Sequence, residues 1–470
     1  MDFLNQILSY LNSRKIKDIA KKHNAQDNRE RKLTLMPYVL FTIFSSAIEE
    51  KGSYLPQIVT ELKRKFNIKI TKQAISKQMV KKRSWKVFRD LFYEISRKSN
   101  RSRGEKISKE KLQILNGFKD ILIPDSSSFK VFKTLLTKYQ STHKGIAGCK
   151  LNTLFSFSSF RAIKVKITTQ KTHDNKFKFV KRDKGVLYLF DLGYWSYKTI
   201  QTIIDRKSYF ISRLKKSCDP VISSVNGNTT HKFVGKKLSE IKAYLQGDTI
   251  DLNIKLNGVE KEIRVVGILH NHEWYFYITN IFDKNMLPQT IYEIYRIRWQ
   301  VELFFKWIKK YLNGKELCMR TDNSLLTEIY ATLIYSILVV LLIDGARESN
   351  TSIQRYSMGK AINIVKKYSM ALLTAIFHGD ESELSRLLSE LLELLQCSAL
   401  KEVRSRENIL LTDYVHLCKL KFFQYPARLF FKDNLPSQGV LHKVSEIFVK
   451  IMPNSRGIFG FIHVIITFLW

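Results

Sequence analysis

The sequence has few cysteines, and they stand far apart. Its 470 residues contain five, with no C-x-x-C pair among them. Zinc knuckles and disulfide frameworks need cysteines at short, regular spacings, so neither is indicated, and a reducing cytoplasm fits. The cysteines are Cys149, Cys218, Cys318, Cys397 and Cys418.

Proline, glycine and long apolar runs are also scarce. With 8 Pro, 19 Gly and 44% hydrophobic residues, the composition is that of a folded protein, and this length suggests two or three domains. The longest apolar stretches, 331–343 and 457–470, are shorter than the ~20 residues that span a bilayer. We interpret the first as a buried helix, and residues 457–470 suggest no function. No signal peptide is visible at the N-terminus, so we expect neither export nor a membrane partner.

Acidic residues are outnumbered almost two to one. Against 79 Lys and Arg there are only 42 Asp and Glu, which gives a net charge of +37. Such an excess attracts a polyanion. The basic residues are spread along the chain and do not gather beside an apolar anchor, which favours nucleic acid over a membrane surface.

Residues 1–110 form a predicted basic helical region. Positions 61–111 carry 18 Lys and Arg against five Asp and Glu. Thr71 is suited to cap a helix whose apolar positions are Ile75 and Met79. This pattern fits a helix-turn-helix-like DNA reader, and it fits equally well a solvated helix face that happens to be basic.

Residues 111–345 alternate strand-like and helical patterns and predict an α/β core. The apolar run 186–190 is typical of a strand covered on both faces. The turn signal Asn257-Gly258 lies within a predicted β-rich insertion at about 215–283. Residues 346–470 are predicted to be a helical C-terminal region, which is a candidate for dimerisation. The predicted strands are 121–123, 154–157, 162–168, 185–190, 209–213, 249–256, 263–268 and 274–279.

A long helix is predicted from about residue 288 to 312, and its polar residues share one face. Tyr295, Arg298, Glu302 and Lys309 fall within an arc of roughly 60° at 100° per residue. Glu302 therefore lies on a rigid element beside an apolar stripe. The alternative is an ordinary salt-bridged face, in which Glu302 pairs with Arg298 or Lys306.

Two aspartates each follow a predicted strand. Asp125 comes after the apolar run 121–123, and Asp191 comes after 186–190. A carboxylate at such a strand end could converge with Glu302 on divalent cations, although a single Asp there is more often a turn or cap residue. The pair His173-Asp174 is not interpreted as a catalytic dyad, because neighbours on an extended chain point to opposite sides.

These residues together resemble the three catalytic blocks of the DDE insertion-sequence transposases with the Y-R-E-K signature, the fourth insertion-sequence family. The similarity runs from about residue 122 to 343, and the helix signature is its most specific part. The blocks are Asp125-Ser126-Ser127, Asp191-x-Gly193-Tyr194 and Tyr295-x2-Arg298-x3-Glu302-x6-Lys309, with smaller matches at 209–213 and Trp274.

The resemblance implies an RNase H-like core with a mixed sheet and helices, a β-rich insertion between the second Asp and the Glu, and helical terminal regions. It implies that Asp125, Asp191 and Glu302 hold two Mg²⁺ ions, with Mn²⁺ as a substitute. The expected DNA contacts are Tyr295, Arg298, Lys309, Trp274 and Arg213, with Trp274 stacking on a flipped base.

The function implied is cut-and-paste transposition of double-stranded DNA, through cleavage at inverted repeats and joining of the 3′ ends to a target, with a hairpin intermediate in some relatives. A homodimer is expected because two ends must be cut together, and the site of action is the bacterial-type cytoplasm at the nucleoid. Two alternatives stay open at this point. One is a catalytically silent remnant that represses its own ends, and the other is a structure-specific nuclease on the same core.

Overall fold

The computed structural model describes residues 11, 13–25, 33–44, 54–104, 118–181, 183–226, 231–283, 286–311, 317, 319–348 and 357–399. Residues 105–117, 312–316 and 400–470 lie outside this part of the chain, and with them the predicted end of the long helix at about 312 and the apolar stretch 457–470.

The N-terminal part is helical, as the sequence predicts. Thr71 caps its helix by accepting a hydrogen bond from the Ala74 amide at 3.3 Å, and Ile75 and Met79 are buried one turn apart. The helix before it ends at Phe66, and the two helices pack against each other. The helices are α1 (Ser13–Lys22), α2 (Leu35–Phe44), α3 (Tyr54–Phe66), α4 (Lys72–Val80) and α5 (Lys82–Gly104).

A nine-stranded mixed sheet forms the centre of the fold, in the order β3-β2-β1-β4-β5-β9-β8-β7-β6. β1 pairs antiparallel with β2 and parallel with β4, which pairs parallel with β5. The first five strands therefore have the order 3-2-1-4-5 with only β2 reversed, which is the predicted RNase H-like sheet. These strands are β1 (Ile121–Lys130), β2 (Gly148–Ser156), β3 (Arg161–Thr169), β4 (Leu187–Phe190) and β5 (Tyr209–Arg213).

The β-rich insertion between Asp191 and Glu302 is present and extends the same sheet. Its four strands form an antiparallel meander, and β9 joins β5 through the pair Ile211 and Thr279. β6 was not predicted, because Val221–Val225 is short and half polar. The insertion strands are β6 (Val221–Val225), β7 (Thr249–Lys255), β8 (Ile263–His270) and β9 (Glu273–Thr279).

Helices cover both faces of the sheet. Alternate residues of β4 belong to two separate cores, with Leu187 and Leu189 on one side and Tyr188 and Phe190 on the other. All four are buried, which confirms a strand covered on both faces. The remaining helices are α6 (Tyr197–Asp205), α7 (Leu238–Ile241), α8 (Pro288–Arg296), α9 (Gln300–Tyr311), α10 (Asp322–Glu348), α11 (Met358–His378) and α12 (Glu381–Ser398).

Two predicted helices differ from the structure in extent. The helix predicted from 288 is divided into α8 and α9 by a tighter 3-10 turn, Ile297–Trp299. The buried helix predicted at 331–343 is α10, which is 27 residues long. By length and composition it contains a stretch that could cross a membrane, but 89% of that stretch is buried inside the protein, as in a core helix.

Candidate active site

Asp125 lies within β1 and not at its end, which corrects the sequence prediction. The strand continues through the serines to Lys130 because β2 pairs with it along this whole segment, with Asp125 opposite Thr153. These ladder hydrogen bonds outweigh the preference of serine for turns. The Asp125 carboxylate accepts a hydrogen bond from the Ser126 amide at 2.7 Å, and 19% of its side chain is exposed.

Asp191 directly follows β4, as predicted. Its carboxylate accepts a hydrogen bond from the Leu192 amide at 2.5 Å and so caps the 3-10 turn Leu192–Tyr194. Ile121 pairs with Leu187 across the parallel strands β1 and β4. Four residues further along each strand, Asp125 and Asp191 come to the same level of the sheet.

Glu302 lies in the first turn of α9, facing the two aspartates. One guanidinium nitrogen of Arg298 is 2.8 Å from a Glu302 carboxylate oxygen, and the other is 3.8 Å from a carboxylate oxygen of Asp125. The salt bridge between Arg298 and Glu302, which the sequence offered as the alternative to a metal site, is therefore present. Arg298 also lies near Asp125. Buried Val301 and Phe304 anchor α9 on the core.

The other two carboxylates act electrostatically on Asp125. Its pKa is raised from 3.8 to about 6, mainly by burial and also by the negative charges of Glu302 and Asp191, while the Ser126 amide and Arg298 oppose the rise. A divalent cation relieves this kind of strain, and carboxylate oxygens are the ligands that hard cations prefer. The donor set therefore fits a hard metal ion. Within the described ranges, however, no three His, Cys, Asp or Glu side chains are spaced to hold one ion, and Arg298 pairs with two of the carboxylates.

Tyr295 and Arg213 approach this centre from α8 and β5. Tyr295 is 7% exposed, its ring centroid is 5.0 Å from that of Tyr277, and its hydroxyl has no hydrogen-bond partner in the part of the chain that the structure describes. Burial raises its pKa, which the charges of Arg298, Asp191 and Arg213 also affect. Arg213 itself lies 5.4 Å from the centre of the Tyr275 ring.

Lys309 and Trp274 lie further out. The Lys309 ammonium is 5.5 Å from the ring centre of Phe129, which is on β1 and on the same face as Asp125. Trp274 stacks on Phe276, with centroids 6.3 Å apart, in the core on the opposite face of β9 from Tyr277. This stacking contact does not bring Trp274 to the carboxylates.

The structure adds Asp174, which sequence reasoning set aside. Its carboxylate accepts hydrogen bonds from the Ser126 hydroxyl at 2.9 Å and from the Lys150 ammonium at 3.1 Å. Lys150 also donates to the Thr172 carbonyl at 2.8 Å. No periodicity or motif joins these residues, because only the fold brings the β3–β4 connection beside β1.

Residues 116–338 match the family described as "Transposase DDE domain". A probable transposase of insertion sequence IS5377 from Geobacillus stearothermophilus is 26% identical over 238 residues, which cover 50% of this chain and 60% of that one. The IS231F transposase of Bacillus thuringiensis subsp. israelensis is 23% identical, covering 62% of this chain and 71% of that one.

The IS1151 transposase of Clostridium perfringens is 21% identical over 84% of this chain and 92% of its own length. Among solved structures, a piggyBac transposase synaptic complex with hairpin DNA matches 93% of each chain with a TM-score of 0.41 and 10% identity. Residues 116–338 span the strand of Asp125, the turn of Asp191 and the helix of Glu302. Over residues 116–338 the chain is therefore similar to the DDE transposases of insertion sequences.

Proposed function

We propose that this chain is a cut-and-paste DNA transposase that cleaves phosphodiester bonds at transposon ends and joins the freed 3′-hydroxyls to target DNA. The observation that carries the proposal is the pairing of Arg298 with both Glu302 and Asp125, together with the charge of Asp191 acting on Asp125. The nucleophile in this chemistry is water or a DNA hydroxyl, so no serine, cysteine or tyrosine of the protein needs to become covalently bound. In a hairpin pathway the first freed hydroxyl attacks the opposite strand.

The three carboxylates would hold two Mg²⁺ ions, with Mn²⁺ as a substitute. When bound, such ions neutralise the charge that develops on the phosphate and lower the pKa of a coordinated water. The residues of the chain orient the reaction. The Ser126 amide fixes the Asp125 carboxylate, the Leu192 amide fixes that of Asp191, and α9 carries Glu302.

The groups beside the carboxylates have the chemistry of phosphate contacts. Arg298 would exchange its pairing with Glu302 and Asp125 for a bidentate contact with a DNA phosphate. The Tyr295 hydroxyl has no hydrogen-bond partner within the described residues, and it is a donor near enough to Arg298 and Asp191 for their charges to affect its pKa. Lys309 and Arg213 would extend the positive track, and Trp274 would stack with a flipped base after leaving its contact with Phe276.

The adjacent helices α3 and α4 would recognise the inverted repeats, as a helix–turn–helix-like DNA reader. The exposed surface of α4 carries Lys72, Gln73 and Lys77, which can contact phosphates and base edges. A dimer would hold two ends at once on the nucleoid in the cytoplasm. The large positive charge of the chain supports binding to DNA of any sequence before the ends are found.

The test is end cleavage and strand transfer by the purified protein with Mg²⁺ on DNA carrying the element's own ends. Asp125→Asn, Asp191→Asn and Glu302→Gln are each expected to abolish both reactions while gel-shift binding to the ends is retained. The exposed Asp248→Asn is the matched control and should keep full activity. Cleavage retained in all three variants would refute the proposal. Wild-type binding without any cleavage would indicate a repressor, and cleavage of branched DNA without joining would indicate a nuclease.

A further inference from the structure

Asp174 links the two segments that carry the catalytic aspartates. It begins a 3-10 turn, Asp174–Lys176, in the connection between β3 and β4. Its side chain is 30% exposed and contacts β1 on one side and the turn after β4 on the other. Neither the predicted catalytic blocks nor the proposed DNA contacts include it.

The contact of Asp174 with β1 lies on the face of the strand opposite the Asp125 carboxylate. Successive side chains of a strand point to opposite faces, and Ile123 and Leu122 accordingly belong to the two different cores. Asp125 shares the face of Ile123, whereas Ser126 points the other way. The Ser126 amide holds the Asp125 carboxylate, and the Ser126 hydroxyl donates to Asp174. Asp174 therefore lies on the face opposite the Asp125 carboxylate.

The contact with the second segment occurs at Gly193, two residues after Asp191. A Cβ added at Gly193 would lie 3.2 Å from a carboxylate oxygen of Asp174 and 3.6 Å from its Cβ. Gly193 is not among the glycines with positive φ in the described chain, so its backbone conformation does not require glycine. The close approach of Asp174 therefore leaves little room for a side chain at Gly193.

The charge of Asp174 is already neutralised within the protein. Lys150, with 13% of its side chain exposed, donates to the Asp174 carboxylate and to the Thr172 carbonyl. This lysine fixes the loop and the carboxylate together on β2. A carboxylate so engaged, on the far side of β1, is suited to positioning other groups and not to binding the catalytic ions.

We propose that Asp174 is a positioning residue, which joins Ser126 to the packing at Gly193 and so sets the separation between the Asp125 and Asp191 carboxylates. The inference rests on the proposed function, because the separation matters through the cation that the two aspartates share. Residues that orient metal ligands typically change metal affinity by about 10–100-fold when removed.

The test measures Mn²⁺ binding by calorimetry, and unfolding by urea in EDTA, for the full-length protein and six variants. Asp174→Ala is expected to weaken Mn²⁺ binding about tenfold. Asp174→Asn keeps the size and one acceptor oxygen, so it should weaken binding less and also serves if the alanine variant does not fold. The exposed neighbour Asn175→Ala should match the wild type, and Asp125→Asn should lose the site.

Gly193→Ala and the double variant with Asp174→Ala complete the comparison. Gly193→Ala alone should weaken Mn²⁺ binding and lower the urea midpoint. In the double variant the added methyl meets no carboxylate, so its effect should largely disappear, a non-additivity expected of residues in contact. Unchanged Mn²⁺ affinity in Asp174→Ala, or effects of the two substitutions that simply add, would overturn the positioning role. Wild-type binding no stronger than that of Asp125→Asn would instead overturn the proposed metal chemistry, while the urea series would still decide whether the contact couples the two segments.

Discussion

Replacing Asp125 by asparagine is expected to stabilise the metal-free protein at neutral pH while abolishing cleavage. Burial, with the charges of Glu302 and Asp191, raises the pKa of Asp125 from 3.8 to about 6. At pH 7 the folded protein must therefore hold a carboxylate in its charged form at a position that favours the neutral form. Asparagine has nearly the same shape and carries no charge.

The size of the effect follows from the two pKa values. The unfolded chain releases the Asp125 proton near pH 3.8 and the folded chain near pH 6. Between these values the folded state binds more protons, so the stability of the wild type falls as the pH rises through this window and stays lower above it. At 1.36 kcal/mol per pH unit the difference reaches about 3 kcal/mol at pH 7. This carboxylate is 19% exposed, so solvent screens it little.

The assay is urea unfolding of wild type and Asp125→Asn in EDTA, from pH 4 to pH 8. Near pH 4 the two free energies of unfolding should almost coincide, and by pH 7 the variant should be more stable by about 3 kcal/mol. The exposed Asp248→Asn should show no such pH-dependent gap. Added Mg²⁺ should raise the midpoint of the wild type and not that of Asp125→Asn. A gap that stays constant across this range, or that narrows as the pH rises, would refute the reasoning.

Three further outcomes are expected. Arg298→Gln removes a positive charge that lowers the pKa of Asp125, so in that background the pH-dependent gain of Asp125→Asn should extend above pH 6 in the same urea assay. Arg264→Ala should lower the free energy of unfolding by about 3–5 kcal/mol, because Arg264, 6% exposed, pairs with Asp251 and donates to the Met286 carbonyl just before α8; lysine should restore only part of this. Glu328 as a whole is half-buried, but one of its carboxylate oxygens is fully buried and has no hydrogen-bond partner within the described chain. Burial raises the pKa of Glu328 from 4.5 to about 8. Glu328→Gln should therefore gain stability over the wild type between pH 4.5 and 8, by up to about 4 kcal/mol in urea unfolding.

The elements predicted correctly are those whose pattern is local. The apolar run of β4 and the apolar stretch within α10 each determine their own burial, and Thr71 caps α4 through an amide three residues away. The errors occur where a distant partner decides. β1 extends past Asp125 because β2 pairs with it, and the sequence of β1 alone, with three serines, suggests a turn there.

The same distinction applies to the active site. Arg298 and Glu302 are one helical turn apart, so their contact could be predicted from spacing and is present at 2.8 Å. Arg298 and Asp125, in contrast, lie far apart in the sequence, and their contact depends on the packing of α9 against β1. Asp174 and Ser126 are 48 positions apart, and nothing in either segment indicates the other. A residue that acts through another side chain leaves no periodic signal.

The candidate site is rich in carboxylates, whereas the net charge of the chain is positive. The protein as a whole carries +37, whereas at the candidate site Arg298 pairs with two carboxylates, and the charge of a third, Asp191, also acts on Asp125. Under the proposed function, a DNA phosphate drawn in by the basic surface would meet these negative charges at the place where it reacts. Arg298 cannot contact that phosphate and keep both of its carboxylate partners, and its departure leaves three negative charges together. Under the proposed function, Asp125, Asp191 and Glu302 would hold divalent cations, whose positive charge would balance the carboxylates while Arg298 contacts the phosphate.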